Sequence, residues 1–465
     1  MKRIVTLCIA SLGVTGCVRH APLPLDPERE LQQLSTRSVA MIESEAPAQP
    51  FGPFDASDGL DERELVAIAL RFNTDLAVAR AATGEANAGL LAAGVLPDPE
   101  LGASLQPGVG GTDSFKGDID LMFELLRVGE RSAQQDVARA GVAVATASIA
   151  TKEYELATEV RRQLTVVLAA EQQLALLDQE LSLRRQSMEL VQRRRGIGEA
   201  NALDAATARL ELIEIERDRR QAAAELPAER AKLNRLLGLP AGYALPLADS
   251  GKPLAIRLVD VPTTSALRAS MLAGRLDLAA KAAEYRKAEE ELRLEVLRQY
   301  PSLKVGPAFS HEGPSDNYLG IGVALDVPLL NRNRGEIAAK LAQRDRVRAE
   351  YVDRLHQLAA DADIAATRVV SLRAEVDAQR EALLPLLEQN EQLYRSALDA
   401  RELNIVDFVT LQQRALQARR SHLKTLADYR IALIELDGSA GLTLTGLLPP
   451  KAATQKVIPS TQETP

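Results

Sequence analysis

Two stretches decide how this chain is built: KGDIDLMFELL at residues 116–126 and YLGIGVALDVP at 318–328. In the first, Ile119, Leu121, Phe123 and Leu125 alternate with Asp118, Asp120, Met122 and Glu124. In the second, Leu319, Ile321, Val323, Leu325 and Val327 alternate with Gly320, Gly322, Ala324 and Asp326. A period of two is the signature of a strand with unlike faces. Each stretch follows another candidate strand, ELGASLQPG (100–108) or SLKVGPAFS (302–310), across a Gly-rich or polar turn. The expected strands are therefore 100–106, 117–126, 302–310 and 318–328. Strands of about 9–11 residues cross a bilayer when tilted. Apolar positions would face lipid, and charged or small ones, Lys304 among them, a wet lumen. Four strands cannot close a barrel, and open edges are not tolerated in lipid, so several copies must complete one wall. Since known barrels have at least eight strands, two copies are the minimum and three give twelve. A pair of soluble hairpins packed on helices is the competing reading of the same alternation.

Outward from the strands, the chain is written twice. At an offset of 202, ALRFNTDLAVARAA (69–82) lies on MLAGRLDLAAKAAE (271–284), with Asp75 on Asp277, Pro99 on Pro301 and Leu101 on Leu303. Further on, ANALDAAT (200–207) lies on LNIVDFVT (403–410) at an offset of 203. Each half predicts a helix (Thr74–Leu96; Leu276–Gln299), two strands, a very long helix (Arg131–Arg195; Gly335–Ala397) and a shorter one (Asn201–Leu237; Asn404–Leu436). At 1.5 Å per residue the long helices reach about 95 Å, and two short helices end to end match one long helix. Val160, Val167, Leu174, Leu181 and Met188 recur every seven residues, as do Val369, Val376 and Leu383. Such seams require partner helices. Pro227 and Pro385 predict kinks.

Composition excludes several classes. The 465 residues carry 56 Lys and Arg against 64 Asp and Glu, a net charge of −8, which argues against nucleic acid. Two cysteines preclude a disulfide framework, and four histidines give no metal-ligating cluster. No catalytic motif stands out, and no cofactor is expected. No apolar run spans a bilayer as a helix. Lys2 and Arg3 precede the apolar stretch Ile4–Val14, which fits a secretory signal. It ends in Val14-Thr15-Gly16-Cys17, which resembles a bacterial lipobox, so residues 1–16 are expected to be a signal peptide and Cys17 the lipidated first residue. Val18 after the cysteine favours the outer membrane by the same resemblance. The rest divides into an extended segment (17–60), a first repeat (61–237), an inter-repeat equatorial segment (238–262), a second repeat (263–437) and an equatorial or disordered tail (438–465).

The duplicated strand–strand–long-helix layout resembles the TolC-like outer-membrane factors of tripartite export systems over residues 60–440. The stretch GIGVALDVPLLNRNRGEIAAK (320–340) is similar to the strand-to-helix junction of the branch serving heavy-metal RND pumps, the CzcC/CusC-like proteins. The resemblance implies a mainly α protein with a small β part. A duplicated long-helix α-barrel, or coiled-coil tunnel, would carry a transmembrane antiparallel β-barrel completed by trimerisation, four strands per subunit. It implies a passive exit duct in the outer membrane, not an enzyme, that works with a periplasmic adaptor and an inner-membrane RND pump. Heavy-metal cations are the cargo of that branch. Drug efflux or type I secretion is the alternative cargo, and a lipid-anchored coiled-coil scaffold without a pore the alternative class.

In that family the tips at 193–204 and 398–407 meet the adaptor and close the tunnel. Asp407, Asp204, Glu402 and Glu199 become gate candidates, and Arg193, Arg194, Arg195, Gly196, Gly198 and Arg401 adaptor-contact candidates. Arg401 stands where the family pattern has glycine, and Thr410 stands where some members have a second gate Asp. Two other readings stay open. Asn201 with Asp204 and Asn404 with Asp407 have capping spacing, and a plain solvated face is the leading reading of the arginine triplet.

Overall fold

In a computed structural model the described residues are 20–39, 56–107, 115–312, 316–328, 330–400 and 405–441. The chain is mostly helical with a four-stranded antiparallel sheet, the expected fold class. In order it forms α1 (Pro27–Thr36), α2 (Glu62–Phe72), α3 (Thr74–Gly94), β1 (Glu100–Pro107), β2 (Phe115–Leu125), α4 (Glu130–Gly196) and α5 (Ala202–Leu236). The second half gives α6 (Thr264–Gly274), α7 (Leu276–Leu297), β3 (Ser302–Glu312), β4 (Asp316–Asp326) and α8 (Arg334–Ala378). A π-helical turn (Gln379–Leu383) then leads into α9 (Leu384–Asp399), and α10 (Ile405–Ala440) ends the described chain. No helix among the described residues is long and apolar enough to cross a membrane.

Within each half, two short helices lie end to end along one long helix. α3 runs beside the start of α4, where Arg80 meets Glu153 at 2.7 Å, and α5 beside its later part, where Arg219 meets Asp178 at 2.8 Å. α7 and α10 flank α8 in the same way through Lys340–Glu291 (2.8 Å) and Arg368–Glu435 (2.9 Å). The joints between short helices explain the stacking. Asn73 accepts from the Leu76 N–H, capping α3, while its side-chain amide donates to the last carbonyl of α5, on Leu236 (both 3.0 Å). Gly238 follows at φ 68°, where a Cβ would lie 2.2 Å from the Phe72 carbonyl oxygen. In the second half Arg275 begins α7, is held by the Asp277 carboxylate, and donates to the Gly438 carbonyl. The same joint is built once with an amide and once with an ion pair.

α7 and α10 also pack on α4, so the helices form one layer in the order α8, α7/α10, α4, α3/α5. Its two margins are α8–α9 on one side and α3/α5 on the other. The sheet runs β1-β2-β3-β4 with β1 and β4 as free edges, and β2–β3 is the contact between repeats. The hairpin registers refine the repeat. β1 lies on β3 at an offset of 202, but Glu100↔Met122 and Ser302↔Asp326 then require 204 for β2 on β4. Beyond the last rung the hairpins share, Pro107↔Phe115 and Phe309↔Leu319, the second therefore has two more residues of chain than the first. At 204, Leu125-Leu126 falls on Leu329-Leu330, and Gly129 (φ 85°) on Asn333 (φ 53°), both in the left-handed region before a long helix.

The core sits at mid-height. Leu65, Ile68, Val160, Leu164, Val167, Leu233 and Leu237 form one cluster, and Leu267, Val369, Val376, Tyr429 and Leu436 another. The non-repetitive chain at 238–261 wraps both: Leu239 and Leu254 join the first, while Ile256, Leu258 and Val261 border the second. The N-terminal segment is fixed here too. Val39 is buried in the first cluster, its N–H donates to the Tyr243 hydroxyl (3.2 Å), and Arg37 donates to the Gly238 carbonyl (3.2 Å).

The two prolines behave differently. The helix is continuous through Pro227, which is exposed, so water can take the carbonyl its missing N–H leaves free. Ahead of Pro385 the long helix widens into the π turn, where the Leu384 N–H bonds the Gln379 carbonyl five residues back. This displaces the Glu381 carbonyl that the proline ring would otherwise strike. The second long helix is therefore two helices with a joint.

Candidate functional site

The sheet has two chemically opposite faces. Odd-numbered residues pair with one another across every ladder: Leu101↔Leu121, Ile119↔Phe309, Phe123↔Val305 and Leu303↔Leu325. Leu101, Leu105, Ile119, Phe123, Leu125, Leu319, Ile321, Val323 and Leu325 remain 47–82% exposed, a contiguous apolar face without a protein partner in the described chain. A patch of this extent marks contact with lipid or another subunit. The even-numbered face carries the charges. Asp118 accepts from Ser104 (2.9 Å) and Ser310 (2.6 Å), binding three strands together. Lys304 reaches across β2 to both carboxylate oxygens of Glu100 (2.7 Å), and Lys116 stands 4.0 Å from Glu312. Gly102 leaves room for the Asp120 carboxylate, whose oxygen would lie 2.6 Å from a Cβ there. The alternation thus yields one wall suited to hydrocarbon and one suited to water.

At the far end of the helices the first tip is described in full. Gly198, at φ 82°, donates to the Arg195 carbonyl (3.2 Å), and the Glu199 N–H donates to the Arg194 carbonyl (2.8 Å). That is a Schellman motif, so Gly198 is fixed by its left-handed backbone. Arg193, Arg194 and Arg195 occupy the last turn of α4, where cations suit the helix dipole, and Arg194 lies 3.5 Å from exposed Glu199. Gly196 is exposed, and a side chain there would meet open space. Asn201 accepts from the Asp204 N–H and Asp204 accepts from the Asn201 N–H, each at 2.9 Å. This reciprocal capping box assigns Asp204 a structural role. Val191, Ala205 and Ala208 close a small apolar knot above it.

At the second tip Arg401 and Glu402 lie outside the described residues. Asp407 lies at the start of α10, of which the backbone alone is described there. Cys17 is likewise outside them. The tip candidates of the first repeat therefore gather at the α4–α5 connection.

A cluster with no obvious sequence signal sits at mid-height. Arg161, 1% exposed in its side chain, donates to Glu62 (2.6 Å) and to Asp437 (3.1 Å), which is fully buried; Arg430 donates to the other oxygen of Glu62 (2.8 Å). Three elements, α2, α4 and α10, are tied by this network. Tyr154 donates to the Asp437 carbonyl (2.7 Å), and its hydroxyl is pushed up to about 12, first by burial and then by the Asp437 charge. Its single warning in the sequence is a cation inside the apolar row Val160–Val167. Among the described residues no group of three His, Cys, Asp or Glu side chains is arranged to hold a metal ion.

Residues 65–239 match the outer membrane efflux protein family. The cobalt-zinc-cadmium resistance protein CzcC of Cupriavidus metallidurans is 24% identical over 405 residues, spanning 87% of this chain and 95% of that protein. Among solved structures, the CusC channel superposes with a TM-score of 0.67 at 17% identity, covering 85% of this chain and 97% of CusC. The Campylobacter jejuni CmeC outer membrane channel gives 0.69 at 14% identity, covering 92% and 94%. A Pseudomonas aeruginosa membrane protein gives 0.68 at 20% identity, covering 85% and 99%.

Proposed function

We propose that this chain is an outer membrane efflux protein, and that three copies form a passive duct through which a tripartite pump expels heavy-metal cations. The observation that carries the reading is the sheet: apolar outside, charged inside, and open at both edges. Such a sheet is stable in lipid when further copies close it. The helix layer, with its own two open margins, continues the same wall below the membrane. A pore-free scaffold would leave the apolar face without a purpose.

The heavy-metal cargo is supported by the relative named for cobalt, zinc and cadmium resistance, and by carboxylates on the inner wall that suit cations. Selection of that cargo rests with an inner-membrane RND pump, joined to the duct through a periplasmic adaptor. Arg193, Arg194, Arg195, Gly196, Gly198 and Arg401 are the adaptor-facing set at the tips. Asp204, Asp407, Glu199 and Glu402 ring the lower opening, Asp204 capping α5 at the same time. Cys17 carries the acyl anchor in the outer membrane. The family are channels rather than catalysts, and the duct supplies positioned walls, not chemistry.

Reconstituted in planar bilayers, the protein is expected to give discrete conductance steps, and a deletion strain is expected to become sensitive to cobalt, zinc or cadmium. Conductance with sensitivity to dyes or detergents alone would reassign the cargo. An absence of conductance from folded, membrane-inserted protein would end the duct reading. Replacing Asp407 with Ala is expected to raise resting conductance, and unchanged traces would remove it from the gate.

A further inference from the structure

The sheet meets the helices through four connections, and all four share one chemistry. After α3, Val95 and Leu96 stand exposed; after β2, Val128 is 97% exposed; before β3, Tyr300 is exposed; after β4, Leu330 is 99% exposed. Arginines stand among them. Arg131 donates to the Gly94 carbonyl (2.7 Å), Arg127 to the Tyr300 carbonyl (2.5 Å) and Arg298 to Glu295 (2.8 Å). A band of apolar tips mixed with guanidinium groups has the composition of a membrane–water boundary. There long cationic side chains keep their stems in hydrocarbon and their heads at the polar surface. The band begins directly below the apolar face, since the exposed row of β4 runs down to Val327, three residues before Leu330. Two of the connections, after β2 and before β3, lie in the middle of the sheet, away from both edges. The pattern therefore belongs to a level of the molecule and not to an edge.

The repeats differ at this level in their charge. At the offset of 204, Val128 falls on Arg332 and Glu130 on Arg334. In the first repeat buried Glu130 accepts from Arg127 (3.0 Å) and Arg298 (3.4 Å), so the cations there already have protein partners. The second repeat puts a cation where that carboxylate stood. Asn333 turns inward, its amide donating to the Glu295 carboxylate (2.8 Å). Arg332 and Arg334, on either side of it, are exposed, and among the described residues neither guanidinium has a hydrogen-bond or ionic partner. Exposed Glu336, two residues on, pairs with neither. Two permanent charges thus flank a leucine that touches almost nothing.

We propose that the β4–α8 connection binds an anionic phospholipid of the leaflet nearest the helices, with Leu330 among the acyl chains and Arg332 and Arg334 on the headgroup phosphate. The proposal rests on the channel reading and adds a lipid partner to it. A guanidinium fork matches phosphate oxygens two at a time, which makes arginine suited to this contact. At the first junction Val128 offers the apolar contact without free cations, so the site occurs once per chain.

The chain has no Trp, so an introduced indole reports alone. Leu330→Trp, Val128→Trp and, on the apolar face, Ile321→Trp are reconstituted into phosphatidylcholine vesicles containing phosphatidylglycerol. Brominated acyl chains, which quench an indole they touch, are carried by one lipid or the other at equal mole fraction. All three indoles are expected to be quenched. Leu330→Trp is expected to favour brominated phosphatidylglycerol by roughly fivefold for each free arginine. Arg332→Gln and Arg334→Gln are each expected to remove about one such step, and together to bring the ratio to about one. The single variants keep the test open where the double one fails to insert. An equal preference at Val128→Trp would make the effect one of general surface charge and overturn the site. Loss of the preference to millimolar inorganic phosphate at constant ionic strength would make it a free-ion site and overturn the lipid. Quenching of Ile321→Trp with no lipid preference at Leu330→Trp overturns the proposal and leaves the channel reading intact. An Ile321→Trp indole that bromine does not reach overturns the channel reading itself.

Discussion

The two helical arms descend from one design and have ended in different mechanical states. In the first, α4 is unbroken over 67 residues and α5 is fastened along its lower half by Arg230–Glu171, Arg219–Asp178 and Arg184–Glu211 around the Leu177, Leu181 and Ile215 cluster. In the second, the long helix is divided by the π turn, and below it Arg419–Glu391 (3.0 Å) ties α9 to α10. A groove of ≈ 500 Å³ lined by Leu183, Leu387, Tyr394 and Leu411 separates α9 and α10 from α4. The joint is latched from one side. The Gln379 side-chain amide donates to Glu375 (2.6 Å) and Thr425 (3.2 Å), and its Oε1 accepts from His422 (2.6 Å). Duplication supplies two equal staves, and one proline with its compensating turn makes one of them bend.

The comparison is open to attack in order of effect. Both arms hang from the buried network at mid-height, so Arg161→Ala should cost about 3–5 kcal/mol by removing the buried guanidinium that Asp437 and Glu62 share. Arg80→Ala, at the exposed pair with Glu153, should cost no more than about 1 kcal/mol. Denaturant titration in detergent compares them, and equal losses would show that the network does not hold the arms. Next, Pro385→Ala restores an amide and removes a ring whose helical cost is about 3 kcal/mol. Amide exchange over 379–399 should then slow toward that of the lower half of α4. Exchange unchanged there would mean that the proline is not the origin of the joint.

Asn201→Ala should cost about 1 kcal/mol, confined to the first turn of α5, and be visible as faster exchange at residues 202–205. Loss spread over the whole arm would contradict a local cap. The smallest effect is a pH response of the jointed arm. Burial, followed by the Arg380 charge, holds the His422 imidazole below its ordinary value. Its neutral form is the one that suits the fold, so the contribution is complete above the unfolded value of about 6.5 and is lost as pH falls from there through the folded value. Protection factors in α9, corrected for the intrinsic pH dependence of amide exchange, should fall between pH 7.5 and 5.5 while those at the α4–α5 tip, which has no histidine, stay constant. Identical profiles at both tips would remove His422 from the latch.

Much of the fold is legible because its determinants are local. Alternation in 116–126 and 318–328 gives the strands and their faces, and heptad rows with breaker-free length give the long helices. Pro385 marks the joint, although not the widened turn that accommodates it. α2 and α6 are harder to read. They are short, and what separates them from α3 and α7 is a single extended residue, Asn73 or Arg275, whose partners lie at Leu236 and Gly438. The Asp61–Glu64 capping box was the available sign of α2. The buried network is illegible for the same reason, since Glu62, Arg161 and Asp437 meet across most of the chain. Among the tip candidates, spacing alone was enough to find the Asn201–Asp204 box, because both partners sit within one turn.

The fastening of Arg37 and Val39 to the 238–243 loop defines a load path. Tension applied anywhere ahead of residue 37 reaches the waist of the molecule first, and neither β1 nor the turn after it lies in series with that pull. The described N-terminal segment thus passes any pull into the mid-height core and bypasses the sheet.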